Sequence, residues 1–131
     1  MLRRRGYAGA LFLVCLLNGS FILPWYFDTQ EHGTGTDLTL LLANVLSSNT
    51  RFERLFDLLD EEDPDLVVLL EVSPDWLVEL DALRSEYPYS YAEARDGNFG
   101  IALFSRVPIK SANHIDSPPF GYPTINASLT I

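Results

Sequence analysis

Pro64-Asp65-Leu66-Val67-Val68-Leu69-Leu70-Glu71 is the stretch on which the fold turns. An unbroken aliphatic run follows a proline and an aspartate and ends in a glutamate. A short run without polar alternation suits a strand covered on both faces. Upstream, residues 38–43 form a second apolar run, with one threonine, closed by Asn44. Between the two runs, Phe52, Leu55, Phe56 and Leu59 recur at helical spacing and define one apolar face. Thr50 and Glu53 have capping-box spacing, which predicts a helix from about residue 50 that Pro64 terminates. Strand, helix and strand with short connections make a βαβ unit, so the two strands are expected to be parallel with a right-handed crossover.

The same pattern continues downstream. Ser73 followed by Pro74 marks a helix start, and Trp76, Leu80, Leu83 and Tyr87 give that helix a buried stripe. Pro88 breaks it. Residues 89–92 read as a strand, 95–98 as a turn with Gly97 supplying the unusual backbone angles, and 99–105 as a further strand. Residues 110–115 and 124–131 are additional strand candidates, separated by a loop rich in proline at 117–123. The fold class is α/β.

Working outward to the N-terminus, residues 6–27 carry no charged side chain and follow Arg3, Arg4 and Arg5. The segment is about as long as a helix that crosses a bilayer core, roughly 20 residues. Trp25 and Tyr26 suit a membrane–water interface, and the arginines favour a cytoplasmic N-terminus. The expected organisation is a basic tail at 1–5, one transmembrane helix at 6–27, a polar linker at 28–37 and a domain at 38–131. That places the chain in a membrane as a single-pass protein, with the domain outside the cytoplasm. A cleaved signal peptide is the competing interpretation.

Charge restricts the partners. The chain has a formal net charge of −9, and all eighteen acidic residues lie from Asp28 onward beside six basic ones, a net of −12 for that part. Such a surface repels phosphate backbones and disfavours nucleic acid. A small acidic site holding a divalent cation is still compatible with it, because the ion reverses the local sign. Cys15 is the single cysteine, so neither an internal disulfide nor a cysteine metal site can form.

Ligands of a parallel α/β sheet bind beyond the carboxyl ends of its strands. Asn44 and Glu71 each follow such a strand and therefore share one sheet edge. A hard cation such as Mg²⁺ takes oxygen ligands and usually only one or two protein carboxylates. Glu71 offers one, and the Asn44 amide can hold a phosphate oxygen without adding charge. The structural alternatives are a turn at Asn44 and a solvated or helix-start role for Glu71.

Taken in order, the apolar strand ending in Asn44, the block Pro64–Glu71, Tyr87-Pro88-Tyr89, and Gly100-Ile101-Ala102-Leu103-Phe104-Ser105-Arg106-Val107-Pro108 resemble the signature blocks of the endonuclease/exonuclease/phosphatase family. The resemblance implies part of a two-sheet α/β sandwich, DNase I-like, that hydrolyses phosphoester bonds with Mg²⁺, or with Mn²⁺ in its place. It assigns Glu71 as a metal ligand and Asn44 as a catalytic, phosphate- or metal-orienting residue. The family's Asp-x-Asn segment, later aspartate and terminal Asp-His pair find no counterpart before Ile131, which implies that this chain alone is inactive. His32 falls in the linker and His114 reads as a solvated loop histidine; neither carries the catalytic role. The substrate expected from charge is a small phosphoester or lipid headgroup rather than nucleic acid. A non-catalytic, membrane-anchored acidic domain that binds another protein is the alternative function.

Overall fold

The computed structural model describes residues 2–27 and 37–130. The chain divides into two compact units, Met1–Gly35 and Thr36–Ile131.

The first unit contains α1, Leu2–Phe27, an unbroken helix of 26 residues. The stretch expected to be a separate basic tail is thus helical from Leu2. Leu11, Phe12, Leu13, Val14, Leu16 and Leu17 are exposed. Asn18 donates its amide to Val14 O at 2.8 Å, and the Ser20 hydroxyl donates to Leu17 O at 2.7 Å. Among the described residues, no helix is long and apolar enough to cross a membrane. The transmembrane span expected at 6–27 is therefore not found. Asn18, Gly19 and Ser20 interrupt the apolar run at its centre and lower its hydropathy. The linker expected at 28–37, Asp37 apart, lies outside the described residues, as does His32.

The second unit is mixed α/β. Its elements are β1 (Leu40–Asn44), α2 (Glu53–Glu62), β2 (Leu66–Leu70), α3 (Pro74–Glu79) running into a 3₁₀ turn (Leu80–Ser85), β3 (Tyr89–Glu93), β4 (Ile101–Ser105), β5 (Ile109–Ser117) and β6 (Tyr122–Leu129). The first four strands make one sheet in the order β1-β2-β4-β3. β1 and β2 are parallel, with Leu40 opposite Leu66 and Asn44 opposite Leu70, as the βαβ pattern predicts. β4 runs antiparallel to both β2 and β3. β5 and β6 form a separate antiparallel hairpin.

Alternation decides which face is covered. Val67 and Leu69 of β2, with Ala102 and Phe104 of β4, point into the core against Leu55, Leu59, Trp76, Leu80, Leu83 and Tyr87. The opposite face carries Val68, Ile101 and Leu103, which line one cavity with Ile125, Ala127 and Leu129 of β6. The hairpin is therefore the beginning of a second layer. β1 departs from its expectation of burial on both faces: it lies at the sheet edge, and Leu40 and Leu42 are 59% and 62% exposed. An apolar run satisfies an edge strand as well as a central one where another surface can cover it.

The helix starts differ from one another. Ser73 caps α3, its hydroxyl accepting from Trp76 N–H at 3.3 Å, with Pro74 in the first turn. α2 begins only at Glu53, with Phe52 as its cap and no side-chain cap bond. The Thr50–Glu53 capping box is not formed. Asn49 instead takes the Arg51 N–H on its side-chain oxygen at 3.1 Å, a local turn that ends before the helix begins.

The end of the sheet where β2 starts is held by polar clamps. Thr39 donates its N–H and its hydroxyl to Asp65 Oδ2 at 2.8 and 2.9 Å. Arg106 lies over the Tyr87 ring, 5.0 Å from its centroid, pairs with Asp63 at 2.6 Å and also pairs with Glu86. Tyr87 donates its buried hydroxyl to Pro64 O at 2.9 Å. The aspartate of the Pro-Asp block and the arginine of the Ser-Arg-x-Pro block are thus structural.

A pH dependence follows. The Thr39 backbone bond, then its hydroxyl bond, hold the Asp65 carboxyl below its ordinary value. A carboxylate whose folded pKa is depressed gives stability that is present above the unfolded pKa and lost as pH falls through the folded one. Asp65→Asn is therefore expected to lower stability at neutral pH, with the deficit shrinking as pH is taken down through the carboxylate range. Urea midpoints of both proteins measured across that range check this. A pH-independent deficit would mean that Asp65 acts through shape alone.

Candidate active site

The parallel register brings the last residue of β1 and the first residue after β2 to one rim. There Asn44 Nδ2 donates to Glu71 Oε1 at 2.7 Å, and Asn44 Oδ1 accepts from Leu46 N–H at 3.0 Å. The amide is thus oriented at both ends. The second carboxylate oxygen, Glu71 Oε2, is buried without a hydrogen-bond partner. A buried acceptor left unpaired costs about 1–3 kcal/mol, and more when charged. The backbone at Glu71 is also unusual, with φ 63° in the left-handed region. For a non-glycine residue that costs on the order of 1–3 kcal/mol.

The surrounding chain holds Glu71 in this conformation. Val72 N–H donates to Gly100 O at 3.0 Å, and Arg95 N–H donates to Val72 O at 3.2 Å. Gly100 is buried, and a Cβ on it would sit 1.8 Å from Val72 O. Only glycine lets β4 enter so close behind Glu71. Trp76 anchors the neighbouring loop through its indole N–H, which donates to Leu46 O at 3.3 Å. Ser47 donates to Asn98 Oδ1 at 2.8 Å and joins that loop to the β3–β4 turn. Asn44, Glu71, Asn98, Phe99, Gly100 and Tyr122 are among the residues lining one cavity of about 200 Å³.

Asn44 and Glu71, the two residues singled out from the sequence, are thus brought together. Asn98, Gly100 and Tyr122 were not singled out. Gly100 carried a usable signal, a glycine at the mouth of a strand, which marks close backbone approach. Tyr122 had none, because it arrives from the hairpin. His114 is not a loop residue: it lies on β5, half-buried, with Nδ1 2.9 Å from Tyr91 Oη and 3.6 Å from Glu93 Oε2. Its neighbour Asp116 pairs with Arg95 at 2.6 Å, and Arg95 also donates to Gly121 O at 2.8 Å, so this arginine ties the hairpin turn to the first sheet.

Chemically, the rim presents one carboxylate and one neutral amide. Among the described residues no group of three or more His, Cys, Asp or Glu side chains could hold a metal ion. Mg²⁺ does not require such a group, since it keeps several waters and takes one or two carboxylates. The unpaired Oε2 of Glu71 fits that demand.

A helix-backed sheet with a hairpin layered on its other face, and a carboxylate and amide at the carboxyl ends of two parallel strands, is a mixed α/β arrangement consistent with a DNase I-like fold. The chain belongs to the Endonuclease/Exonuclease/phosphatase family, whose sequence profile matches residues 41–129. No curated protein sequence matches it. Among solved structures it is similar to D. rerio TDP2 complexed with single strand DNA product, at 22% identity and a TM-score of 0.62 over 71% of this chain and 40% of that one. TDP2 from C. elegans is similar at 17% identity and a TM-score of 0.55, over 82% of this chain and 40% of that one. A second Caenorhabditis elegans TDP2 structure gives 17% identity and a TM-score of 0.58 over 86% and 37%. The chain thus spans about two fifths of the length of these structures.

Proposed function

We propose that this chain contributes Asn44 and Glu71 to the active site of a divalent-cation-dependent phosphodiester hydrolase. The observation that carries the proposal is the buried, unpaired Oε2 of Glu71 at a rim where a bonded amide already fixes the other oxygen. Glu71 would hold Mg²⁺, with Mn²⁺ able to replace it. When bound, such an ion polarises a phosphoryl oxygen and offsets the charge that develops on it. Asn44 does two things without adding charge: one amide N–H fixes the carboxylate, and the other is available to a phosphate oxygen. Neither residue supplies a base for the attacking water, so on their own they are proposed to bind the phosphodiester rather than turn it over.

The proposed substrate is a phosphodiester in single-stranded nucleic acid, in place of the small molecule or lipid headgroup expected from charge. Its support is the shared fold with a TDP2 complexed with single strand DNA product. The acidic surface is compatible with a short, unpaired strand, which engages fewer phosphates than a duplex and meets the cation first.

Association with a membrane surface belongs to the same proposal. Its support is the uncharged sequence at 6–27 and the exposed apolar side chains of α1. Recovery of the protein in the aqueous phase after detergent partitioning would remove it.

Hydrolysis of a phosphodiester strand by the full-length protein tests the main reading. EDTA is expected to abolish turnover, and added Mg²⁺ or Mn²⁺ to restore it. Turnover that survives chelation would exclude the cation. The second reading, a non-catalytic acidic domain that binds a protein, draws on the exposed edge of β1 with Leu40 and Leu42. A folded protein without Mg²⁺ affinity or turnover would favour it.

A further inference from the structure

Beside the Asn44–Glu71 rim lies a feature that phosphoester chemistry does not use. Phe99, from the β3–β4 turn, stacks on Tyr122, from the hairpin, with ring centroids 4.6 Å apart and an interplanar angle of 22°. Phe120 flanks Tyr122 at 5.4 Å and 30°. Two separate segments of chain thus converge on a three-ring stack. A stack that merely stapled the turns together would be expected to bury its rings. Here Phe99, Tyr122 and Phe120 remain 49%, 42% and 72% exposed. Phe99 and Tyr122 also line the cavity that contains Asn44 and Glu71.

The size of that cavity limits what it can enclose. At about 200 Å³ it falls below the roughly 300–1,000 Å³ of pockets that engulf a whole small ligand. It has room for a phosphate and its waters, and the group attached to the phosphate must lie outside on the open surface. The surface it meets there is aromatic. Charge points the same way: with a net of −12 from Asp28 onward, the domain cannot hold a strand mainly by neutralising phosphates. Stacking needs no positive charge and accepts any base, because each has a π-face.

We infer that Phe99 and Tyr122, extended by Phe120, form a platform that stacks the unpaired nucleobase adjoining the phosphate held at Asn44 and Glu71. The inference rests on the phosphodiesterase reading above, and it adds the base as the recognised group. Removing a stacking ring costs roughly 1–3 kcal/mol per base, about 5- to 150-fold in apparent affinity.

The test compares two substrates of equal length and charge in Mg²⁺ with the full-length protein: an oligothymidylate, and the same backbone with its bases replaced by abasic tetrahydrofuran units. The wild type is expected to show a KM roughly 5- to 150-fold lower for the oligothymidylate. Phe99→Ala and Tyr122→Ala are expected to raise that KM more than the abasic KM, so that the ratio between the two substrates shrinks toward one. Phe99→Tyr keeps a ring and is expected to retain the preference. Equal KM values on both strands in the wild type, or equal losses on both strands in the alanine variants, would overturn the platform and leave the hydrolase reading intact. Absence of turnover on either strand would overturn the hydrolase reading, and the platform with it.

Discussion

Glu71→Gln is expected to lower kcat/KM for phosphodiester hydrolysis by about 10²–10³-fold or more, the range typical of removing one pre-organised electrostatic group from a catalytic site. The substitution is nearly isosteric. The glutamine carbonyl can still accept the Asn44 N–H now bound to Oε1, so the rim keeps its shape. What changes is the other terminus: the unpaired, buried Oε2 becomes an NH₂ group, which cannot ligate a cation and carries no charge. The fold should tolerate this well, because a buried carboxylate oxygen without a partner is costly to keep. A loss of activity without a loss of stability is therefore the expected signature. Thermal unfolding gives an independent readout. Mg²⁺ should raise the Tm of the wild type, by the equivalent of about 2.7 kcal/mol at a hundredfold excess over Kd, and should leave the Tm of the variant unmoved. Undiminished hydrolysis together with an undiminished Mg²⁺ response would take Glu71 out of the mechanism.

Gly100→Ala should be strongly disruptive. Its Cβ would lie 1.8 Å from Val72 O and 2.8 Å from both Val72 C and Arg95 N. All three are backbone atoms, so no side chain can swing away to make room. Relief requires β4 to move off the segment that follows Glu71, which breaks the Val72 N–H to Gly100 O bond of 3.0 Å. Overpacking of this kind typically costs about 1–3 kcal/mol and occasionally more, a sizeable part of the roughly 5–15 kcal/mol that holds a typical domain together. Activity should fall even in the fraction that remains folded, because a displacement of about 1 Å at a reacting group can cost 10²-fold. Gly97→Ala is the control. Gly97 has φ +82° but nothing within 4 Å of its would-be Cβ, so only backbone strain of about 1–2 kcal/mol is expected. Urea denaturation of the two variants checks the contrast. Equal shifts would mean that the tight approach at Gly100 is relieved elsewhere.

The sequence by itself determined the βαβ unit, and through it the meeting of Asn44 and Glu71. Two apolar strands joined through an amphipathic helix must run parallel, so the residues that end them share an edge whatever else the chain does. It also determined the α3 cap at Ser73 and the buried stripe of Trp76, Leu80, Leu83 and Tyr87, because both are set by spacing within a few residues. The tertiary structure decided what depends on partners distant in sequence. It placed β1 at an edge although its composition matches that of the central β2. It left the Thr50–Glu53 box unused in favour of the Asn49 turn. It turned Asp65 and Arg106, both in motif blocks, into clamps at the end of the sheet away from Asn44 and Glu71. It carried Tyr122 across from the hairpin to stack on Phe99 at the rim. Local patterning reports which way a side chain faces within its own element. Which surface it then meets is fixed only when separate strands are paired and packed.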